Sequence, residues 1–195
     1  MVDFFVQGGG FMWPILIALL FGLAIIGERA YSLINSSSNT DQFFDDVKTV
    51  YDDSGKEQAI ELCENTPGPV ASIFYAGLSK MEKTKEEIEK AVQNAGGLEM
   101  AFLEKNMIWI NSVITIAPML GFTGTVVGMI KAFEDIKMAN DISPAVVAGG
   151  ISQALLTTAF GLIVAMIMQV AQNFFVSMID KLILDMEEQS IKIVE

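Results

Sequence analysis

The chain has 195 residues, of which 12 are basic, 24 are acidic and none is histidine, and its formal net charge is −12. This acidic balance argues against a nucleic acid-binding protein, which needs basic surface to replace phosphate counterions. The single cysteine, Cys63, excludes an internal disulfide framework and a multi-cysteine zinc site, and the lack of histidine excludes Ser-His-Asp and Cys-His nucleophile arrangements.

The charges are distributed very unevenly along the chain. Three windows without any charge lie between Asp3 and Glu28, between Lys105 and Lys131, and between Asp141 and Asp180, and they are 24, 25 and 38 residues long. All 36 charged side chains therefore lie in the other 108 residues. Uncharged apolar stretches of ~20 residues are typical of membrane-spanning helices, so the sequence predicts a membrane protein.

The first predicted span covers residues 11–27. Trp13 and Tyr31 lie near its two ends, where amphipathic rings favour the membrane interface. A secretory signal would begin with a basic region, but residues 1–10 contain neither Lys nor Arg, and Glu28-Arg29 follows the span in place of a cleavage site. We therefore expect a retained helix.

Two further spans are predicted nearer the C-terminus. The second covers residues 108–133, and the third covers residues 145–175. The charge-free stretch around the third span is longer than a bilayer requires, and its later part, residues 169–177, is rich in Gln and Asn. We expect this helix to leave the membrane and to continue in water through the charged tail, residues 176–195.

Residues 28–107 are predicted to form a helical segment outside the membrane, because they show no strand-like alternation. NSSSNTD, residues 35–41, predicts a turn followed by a helix start, and Ser54-Gly55 predicts the end of that helix. The helix carries four apolar side chains on one face: Phe43, Phe44, Val47 and Val50.

Three more helices are predicted in the same segment. Two cover residues 56–64 and 70–81, with Thr66-Pro67-Gly68-Pro69 between them. Thr84 and Glu87 fit the T-x-x-E capping box, which predicts the start of a long helix that runs into the second span.

The basic residues predict the orientation of the chain. Ten of the 12 lie in residues 29–107 and 174–195, which the positive-inside rule places in the cytoplasm, with the N-terminus outside. The predicted fold is an all-α polytopic membrane protein whose second and third transmembrane helices extend into a helical cytoplasmic domain. Its segments are a periplasmic N-terminus at 1–10, transmembrane helix 1 at 11–27, a cytoplasmic segment at 28–107, transmembrane helix 2 at 108–133, a periplasmic loop at 134–144, transmembrane helix 3 at 145–175 and a cytoplasmic C-terminal helix at 176–195.

The second span carries a glycine pattern. Gly121, Gly124 and Gly128 recur at steps of three and four, so they share one helix face, where small residues let another helix approach closely. Pro118 lies one turn earlier and is able to kink the helix. Thr125 adds a hydroxyl to the apolar span, and helix packing is the first interpretation of this pattern.

The third span carries a narrow stripe of small and polar residues. Its members recur at steps of three and four: Ala154, Thr158, Gly161, Ala165, Gln169 and Gln172. Such a stripe faces protein or water and not lipid, so it is either a helix contact face or one wall of a pore. No Asp or Glu lies within the three spans. If the chain moves protons, the titrating group must come from water or from another subunit.

These motifs resemble the MotA/TolQ/ExbB family of inner-membrane proton-channel subunits, and most closely its ExbB/TolQ branch. The resemblance covers nearly the whole chain, including the Glu28-Arg29 that ends the first span. The two long spans carry its most specific runs: Ala117-Pro118-Met119-Leu120-Gly121 … Gly124-Thr125-Val126 … Gly128-Met129-Ile130 … Phe133, and Ile151 … Ala154-Leu155 … Thr158-Ala159 … Gly161-Leu162 … Ala165 … Asn173.

The resemblance implies a stator subunit of an energy-transducing motor in the bacterial inner membrane, with H⁺ as the transported ion and no cofactor. Members of the family form a pentamer around the single transmembrane helices of a dimeric ExbD/TolR-like partner, whose Asp takes up and releases protons. Proton flow turns one ring relative to the other and drives work at the outer membrane or cell wall. Position by position, Thr125 and Thr158 correspond to the threonines that line the channel beside that Asp.

Three departures from the family pattern have physical consequences. Gln153 stands where many relatives have Glu, and because an amide cannot titrate, this residue can only hydrogen-bond. Ala165-Met166-Ile167 replaces the frequent A-I-P, so we expect a straighter helix there. The chain also has neither a long N-terminal extension nor a fourth span, which argues against a flagellar MotA-type subunit.

Other residues are candidates for further roles. The possible pore or partner contacts are Thr115, Thr157, Gln153, Gly161 and Ala165. Glu28 and Arg29 are either snorkelling interface residues or an ion pair that ties the first span to the helices after it. Five acids form either a solvated helical face or, repeated around a ring, a cytoplasmic vestibule that attracts cations: Glu99, Glu104, Asp180, Asp185 and Glu187. Cys63 is expected to be a buried core residue.

Two alternatives to a proton-driven subunit stay open. One is a structural membrane scaffold that conducts no ion. The other is a sodium-driven motor subunit, for which Thr125, Thr157 and Thr158 supply oxygen ligands. An enzyme is disfavoured, because the chain contains no recognisable nucleophile–base pair.

Overall fold

The computed structural model describes residues 2–36, 40–139 and 144–194. Within these ranges every regular element is an α-helix. The eight helices in chain order are α1 (Val2–Gln7), α2 (Met12–Ser36), α3 (Thr40–Ser54), α4 (Lys56–Asn65), α5 (Pro69–Leu78), α6 (Lys85–Leu103), α7 (Met107–Ala139) and α8 (Pro144–Val194).

Three stretches are long and apolar enough to cross a membrane, namely α2, the stretch that includes α7, and α8. This finding confirms the predicted all-α fold with three membrane-spanning helices. The described residues form two compact units, one from 1–27 and 106–173 and the other from 28–105 and 174–195. Helices α2 and α8 contribute residues to both units.

In the first unit, α2 packs against α7 and α8 at a glycine. A Cβ built at Gly22 would lie 2.5 Å from Met168 Sδ and 3.5 Å from Val113 Cγ1, so a larger residue would require the end of the Met168 side chain to move. The Phe21 and Trp109 rings meet edge to face with centroids 6.2 Å apart. Packing of apolar side chains against a glycine therefore accompanies aromatic packing in this unit.

In the second unit, helices α3 to α5 enclose an apolar core. The Phe74 ring lies 5.8 Å from the ring of Phe43 and 5.9 Å from that of Phe44, and Val47 and Cys63 are both buried. Burial confirms the core position expected for Cys63 and raises the pKa of its thiol to about 11. The thiol is therefore neutral at physiological pH.

Turns and caps in the second unit follow the sequence signals closely. Helix α3 ends at Ser54, and Gly55 takes a φ of 97° that favours glycine. The predicted capping box is confirmed, because Thr84 Oγ1 accepts a hydrogen bond from the Glu87 N–H while the Glu87 carboxylate accepts one from the Thr84 N–H. Helices α4 and α5 agree with the predicted helices at 56–64 and 70–81, although α5 ends earlier, at Leu78.

The structure differs from the sequence expectation at three places. The long helix predicted from Thr84 into the second span is interrupted at residues 104–106, where Asn106 has a φ of 64°. Asn is one of the few residues that tolerate this left-handed conformation. Residues 2–7 form a helix that no sequence signal indicated, and residues 134–139 of the predicted periplasmic loop continue α7. The rest of that loop up to residue 143, and residues 37–39 of the predicted NSSSNTD turn, lie outside the described residues.

Candidate functional site

Helices α7 and α8 meet through glycine and alanine. A Cβ built at Gly161 would lie 2.5 Å from the Ala117 carbonyl oxygen, and one built at Gly121 would lie 3.0 Å from the Thr158 Cα. A Cβ built at Gly128 would lie 3.4 Å from the Ala154 Cα. As the residue numbers rise along α7, those of their neighbours on α8 fall, so the two helices are antiparallel and nearly in backbone contact.

Three threonine hydroxyls converge at this interface. Thr125 of α7 and Thr158 of α8 share a hydrogen bond between their Oγ1 atoms. Each of these oxygens also lies 3.2 Å from the Gly121 carbonyl oxygen. The oxygen of Thr157 lies 2.7 Å from the Ala154 carbonyl oxygen and 3.3 Å from that of Gly121.

The three hydroxyls differ in their exposure. Thr157 is 1 % exposed, whereas Thr125 and Thr158 are half-buried. The Thr125 and Thr158 side chains are therefore partly accessible in the single chain, and Thr157 is enclosed. A hydroxyl can donate one hydrogen bond and accept others, so the pair can interact with either protonation state of a carboxyl group.

The close helix contact is what brings these hydroxyls together. A Cβ built at Gly124 would lie 2.7 Å from the Thr157 Oγ1 and 2.8 Å from the Thr157 Cβ, so Gly124 leaves the space that Thr157 fills. A Cβ built at Gly121 would lie only 2.8 Å from the Thr157 carbonyl oxygen, which is too close for any side chain. Packing and hydroxyl clustering are thus two results of the same glycine face.

Other sequence candidates in the first unit lie outside the cluster. Thr115 is exposed and donates to the Asn111 carbonyl of its own helix at 3.1 Å. Pro118 is half-buried within α7, and Ala165 is half-buried one turn beyond Gly161 on α8.

Gln153 lies against the turn between α1 and α2. A Cβ built at Gly9 would overlap the Gln153 amide nitrogen, and Gly9 has a φ of 75°. Two separate constraints, backbone conformation and space, therefore favour glycine at this turn. The side chain of Gln153 is half-buried and belongs to this contact, not to the threonine cluster.

Glu28 and Arg29 form an ion pair in the second unit. Arg29 is 1 % exposed, and its Nε donates to the Glu28 Oε2 at 2.7 Å, while Nη1 donates to the Phe102 carbonyl of α6 at 3.4 Å. The guanidinium is thus buried with a carboxylate and a carbonyl as acceptors. Glu28 is the partly exposed member of the pair.

Two of the five acidic candidates line cavities in the second unit, and these two cavities are different. Glu99 and Glu28 line a cavity of about 420 Å³ between α2, α5 and α6. Glu187 lines a different cavity, of about 250 Å³, between α6 and α8. Asp185 is half-buried, and two acids lie exposed on the surface: Glu104 and Asp180. In the part of the chain that the structure describes, no group of three Cys, Asp or Glu side chains is arranged to hold a metal ion.

The sequence did not indicate the hydrogen-bond acceptors of the threonine hydroxyls. The carbonyl oxygens of Gly121 and Ala154 are backbone atoms, so the residue types do not indicate that they are acceptors. The hydroxyls reach them because the glycine face of α7 lets α8 approach. The side-chain oxygen of Gln172 on the same helix is also buried without a hydrogen-bond partner in the described residues.

The amino-acid sequence is similar to those of known membrane transport proteins. Residues 65–188 match the profile of the MotA/TolQ/ExbB proton channel family. The chain is 30 % identical over 173 residues to the ExbB-like 3 protein of Synechocystis sp., which covers 88 % of this chain and 82 % of that protein. It is 28 % identical over 180 residues to the ExbB homolog of Methanothermobacter thermautotrophicus, covering 92 % of this chain and 64 % of that protein. It is also 28 % identical over 117 residues to the Tol-Pal system protein TolQ of Pseudomonas aeruginosa, covering 54 % and 51 % of the two chains.

Proposed function

The chain belongs to the MotA/TolQ/ExbB proton channel family, and from that premise we propose that it is the stator subunit of an inner-membrane motor driven by proton flow. Its three apolar helices make it a multi-pass membrane protein. The proposed partner is an ExbD/TolR-like subunit with a single span, which supplies the protonatable Asp. The proposed assembly is a pentamer around two such spans, with the N-terminus of each chain outside.

The observation that carries this proposal is the half-buried pair of hydroxyls of Thr125 and Thr158, which are hydrogen-bonded to each other. No Asp or Glu lies within the predicted spans, so a proton path through this chain needs an acid from elsewhere. Because each hydroxyl can donate its O–H to a carboxylate or accept at its oxygen from a carboxylic acid, the pair suits an acid that is alternately charged and neutral. Thr125 and Thr158 are therefore the proposed pore residues.

The test is proton flux through the complex purified with its small subunit and reconstituted in vesicles. Thr125→Val and Thr158→Val keep the side-chain volume and remove the hydroxyl, and we expect each to assemble normally and to lose flux. The matched control is Thr123→Val, because Thr123 is exposed on the same helix and donates only to the Met119 carbonyl of its own helix at 2.8 Å. Full flux in both pore variants would overturn the pore assignment.

One observation favours sodium as the alternative ion. The Thr125 and Thr158 hydroxyl oxygens each lie within 3.2 Å of a backbone carbonyl oxygen, and oxygen ligands of this kind suit a hard cation. Flux measured with and without a sodium gradient at constant pH separates the two ions. Absence of both fluxes in the intact complex would favour the non-conducting scaffold.

A further inference from the structure

Thr157 occupies a position that differs in kind from those of its two neighbours in the cluster. It is 1 % exposed, and the space left by Gly124 encloses its side chain. Its hydroxyl therefore faces α7 and the backbone, whereas the Thr125 and Thr158 side chains are only half-buried. A direct contact between Thr157 and a transported ion or a partner would require the helices to separate.

Counting lone pairs shows that hydrogen-bond acceptors in the cluster are scarce. A peptide carbonyl oxygen has two lone pairs, and in an α-helix one of them accepts the N–H four residues later. Both residues lie inside regular helices, so the regular α-helical pattern makes Gly121 the acceptor for the Thr125 N–H and Ala154 the acceptor for the Thr158 N–H. Each carbonyl therefore has one remaining lone pair for a hydroxyl.

Three hydroxyl protons compete for these two lone pairs. The Ala154 oxygen lies 2.7 Å from the Thr157 hydroxyl and 3.1 Å from the Thr125 hydroxyl, so the shorter contact assigns this acceptor to Thr157. The Gly121 oxygen lies 3.2 Å from both Thr125 and Thr158. One member of the pair donates to Gly121, and the other member donates across the pair.

We propose that Thr157 is a positioning residue whose hydroxyl occupies the Ala154 carbonyl. The Thr125–Thr158 pair can then switch between two hydrogen-bond arrangements. With a single backbone acceptor between them, the two hydroxyls have two equivalent arrangements, which interconvert by rotation of the O–H groups. This inference rests on the proposed function, in which the pair meets the carboxyl group of a partner.

Removal of the Thr157 hydroxyl leaves two hydroxyl protons for two carbonyl lone pairs. The Ala154 lone pair then becomes available to Thr125, and Thr158 donates to Gly121, so both protons of the pair are held by the backbone. In the native chain an approaching carboxylate displaces the hydrogen bond between the two hydroxyls, whereas in the variant it would have to displace a hydrogen bond to a backbone carbonyl and leave that acceptor unpaired. We expect a flux loss of roughly two- to tenfold, which corresponds to one ordinary hydrogen bond.

The experiment compares four side chains at position 157 in the reconstituted complex, with flux expressed per assembled complex. Thr157→Val preserves shape and removes the hydroxyl, while Thr157→Ser preserves the hydroxyl and removes a methyl group. The proposal predicts that Ser retains flux within about twofold and that Val loses it. A packing role against Gly124 predicts the reverse order, because Val fills the same space and Ser leaves a gap.

A second matched pair guards against failure of the Val variant to assemble. Thr157→Ser and Thr157→Ala differ only by the hydroxyl, so the proposal predicts higher flux for Ser than for Ala. Equal flux in Ser and Ala, or full flux in Thr157→Val, would overturn it. Melting temperatures of the four complexes report packing separately.

The pore variants in the same assay distinguish this inference from the proposed function. If Thr125→Val and Thr158→Val keep full flux, the pore assignment in the proposed function fails whatever the Thr157 variants show. If they lose flux while Thr157→Val keeps it, only the positioning role is wrong.

Discussion

Helices α7 and α8 of the first unit meet through Gly and Ala, whereas helices α3 to α5 of the second unit meet through Phe, Val and Cys. In lipid the hydrophobic effect does not drive helices together, so close backbone approach and hydrogen bonds between helices stabilise the contact. In water the burial of large apolar side chains supplies the stabilisation. The two units should therefore respond in opposite ways to changes in side-chain size.

The largest expected effect comes from removing bulk in the second unit. Phe74 is 4 % exposed and packs against two other Phe rings. Phe74→Ala should lower the free energy of unfolding by about 3–5 kcal/mol. The neighbouring Tyr75, which is 41 % exposed, provides the control Tyr75→Ala with a much smaller effect. Denaturant unfolding followed by thiol labelling of Cys63 measures both variants, and equal losses would contradict the assigned core.

The second prediction adds a single methyl group in each unit. Gly161→Ala would place a Cβ 2.5 Å from the Ala117 carbonyl oxygen, so it should destabilise the first unit by about 1–3 kcal/mol. Gly96→Ala places a Cβ in open space within α6 and should stabilise the second unit by about 0.5–1 kcal/mol through helix propensity. Thermal unfolding in detergent checks the two signs, and the same sign in both would break the comparison.

The third prediction concerns the local signal at the start of α6. Thr84→Ala removes the side-chain acceptor of the capping box and should cost about 1 kcal/mol, while Thr84→Ser should cost less because the hydroxyl is kept. Urea midpoints of the two variants measure the difference. A loss as large as that of Phe74→Ala would show that α6 is coupled to the core more strongly than its cap suggests.

The smallest expected effect is a pH dependence at the surface of the second unit. A hydrogen bond and the positive charge of Lys56 hold the pKa of Glu82 below its usual value. The stabilisation is therefore present above the unfolded-state pKa of Glu82 and is lost as the pH falls through the lower folded-state pKa. In a plot of the free energy of unfolding against pH, Glu82→Gln should slightly reduce the decrease on the acid side. At neutral pH its only effect should be the loss of the exposed Lys56–Glu82 salt bridge.

The sequence predicted the helices and their faces well, because their signals are local. The charge-free windows gave the three spans, the T-x-x-E pattern gave the start of α6, and the spacing of Gly121 and Gly124 marked the face that meets α8. Short-range chemistry also gave the ends of α3 and α4. The interruption before α7 was not predicted, because a single Asn at positive φ leaves no pattern in the sequence.

Only part of the candidate site could be predicted from the sequence. Thr125 and Thr158 were identified through the family resemblance, but their contact depends on the antiparallel register of α7 and α8. Thr157 carries the same hydroxyl as its neighbour, and only burial separates the two residues. Gln153 was considered as a pore contact, yet its position against Gly9 depends on a helix near the N-terminus that no periodicity indicated.

The buried Cys63 makes the natural chain suitable for site-directed crosslinking. It is the only cysteine in the sequence, it is 3 % exposed, and burial raises the pKa of its thiol to about 11, so little of it is the reactive thiolate at neutral pH. A cysteine introduced at the exposed Leu155 or Leu162, on either side of Thr158 in the chain, would be the main reactive thiol. Disulfide crosslinking of such a cysteine to a second cysteine, introduced beside the Asp of a partner span, would show which residues neighbour the hydroxyl pair. Cys63 would not have to be replaced first.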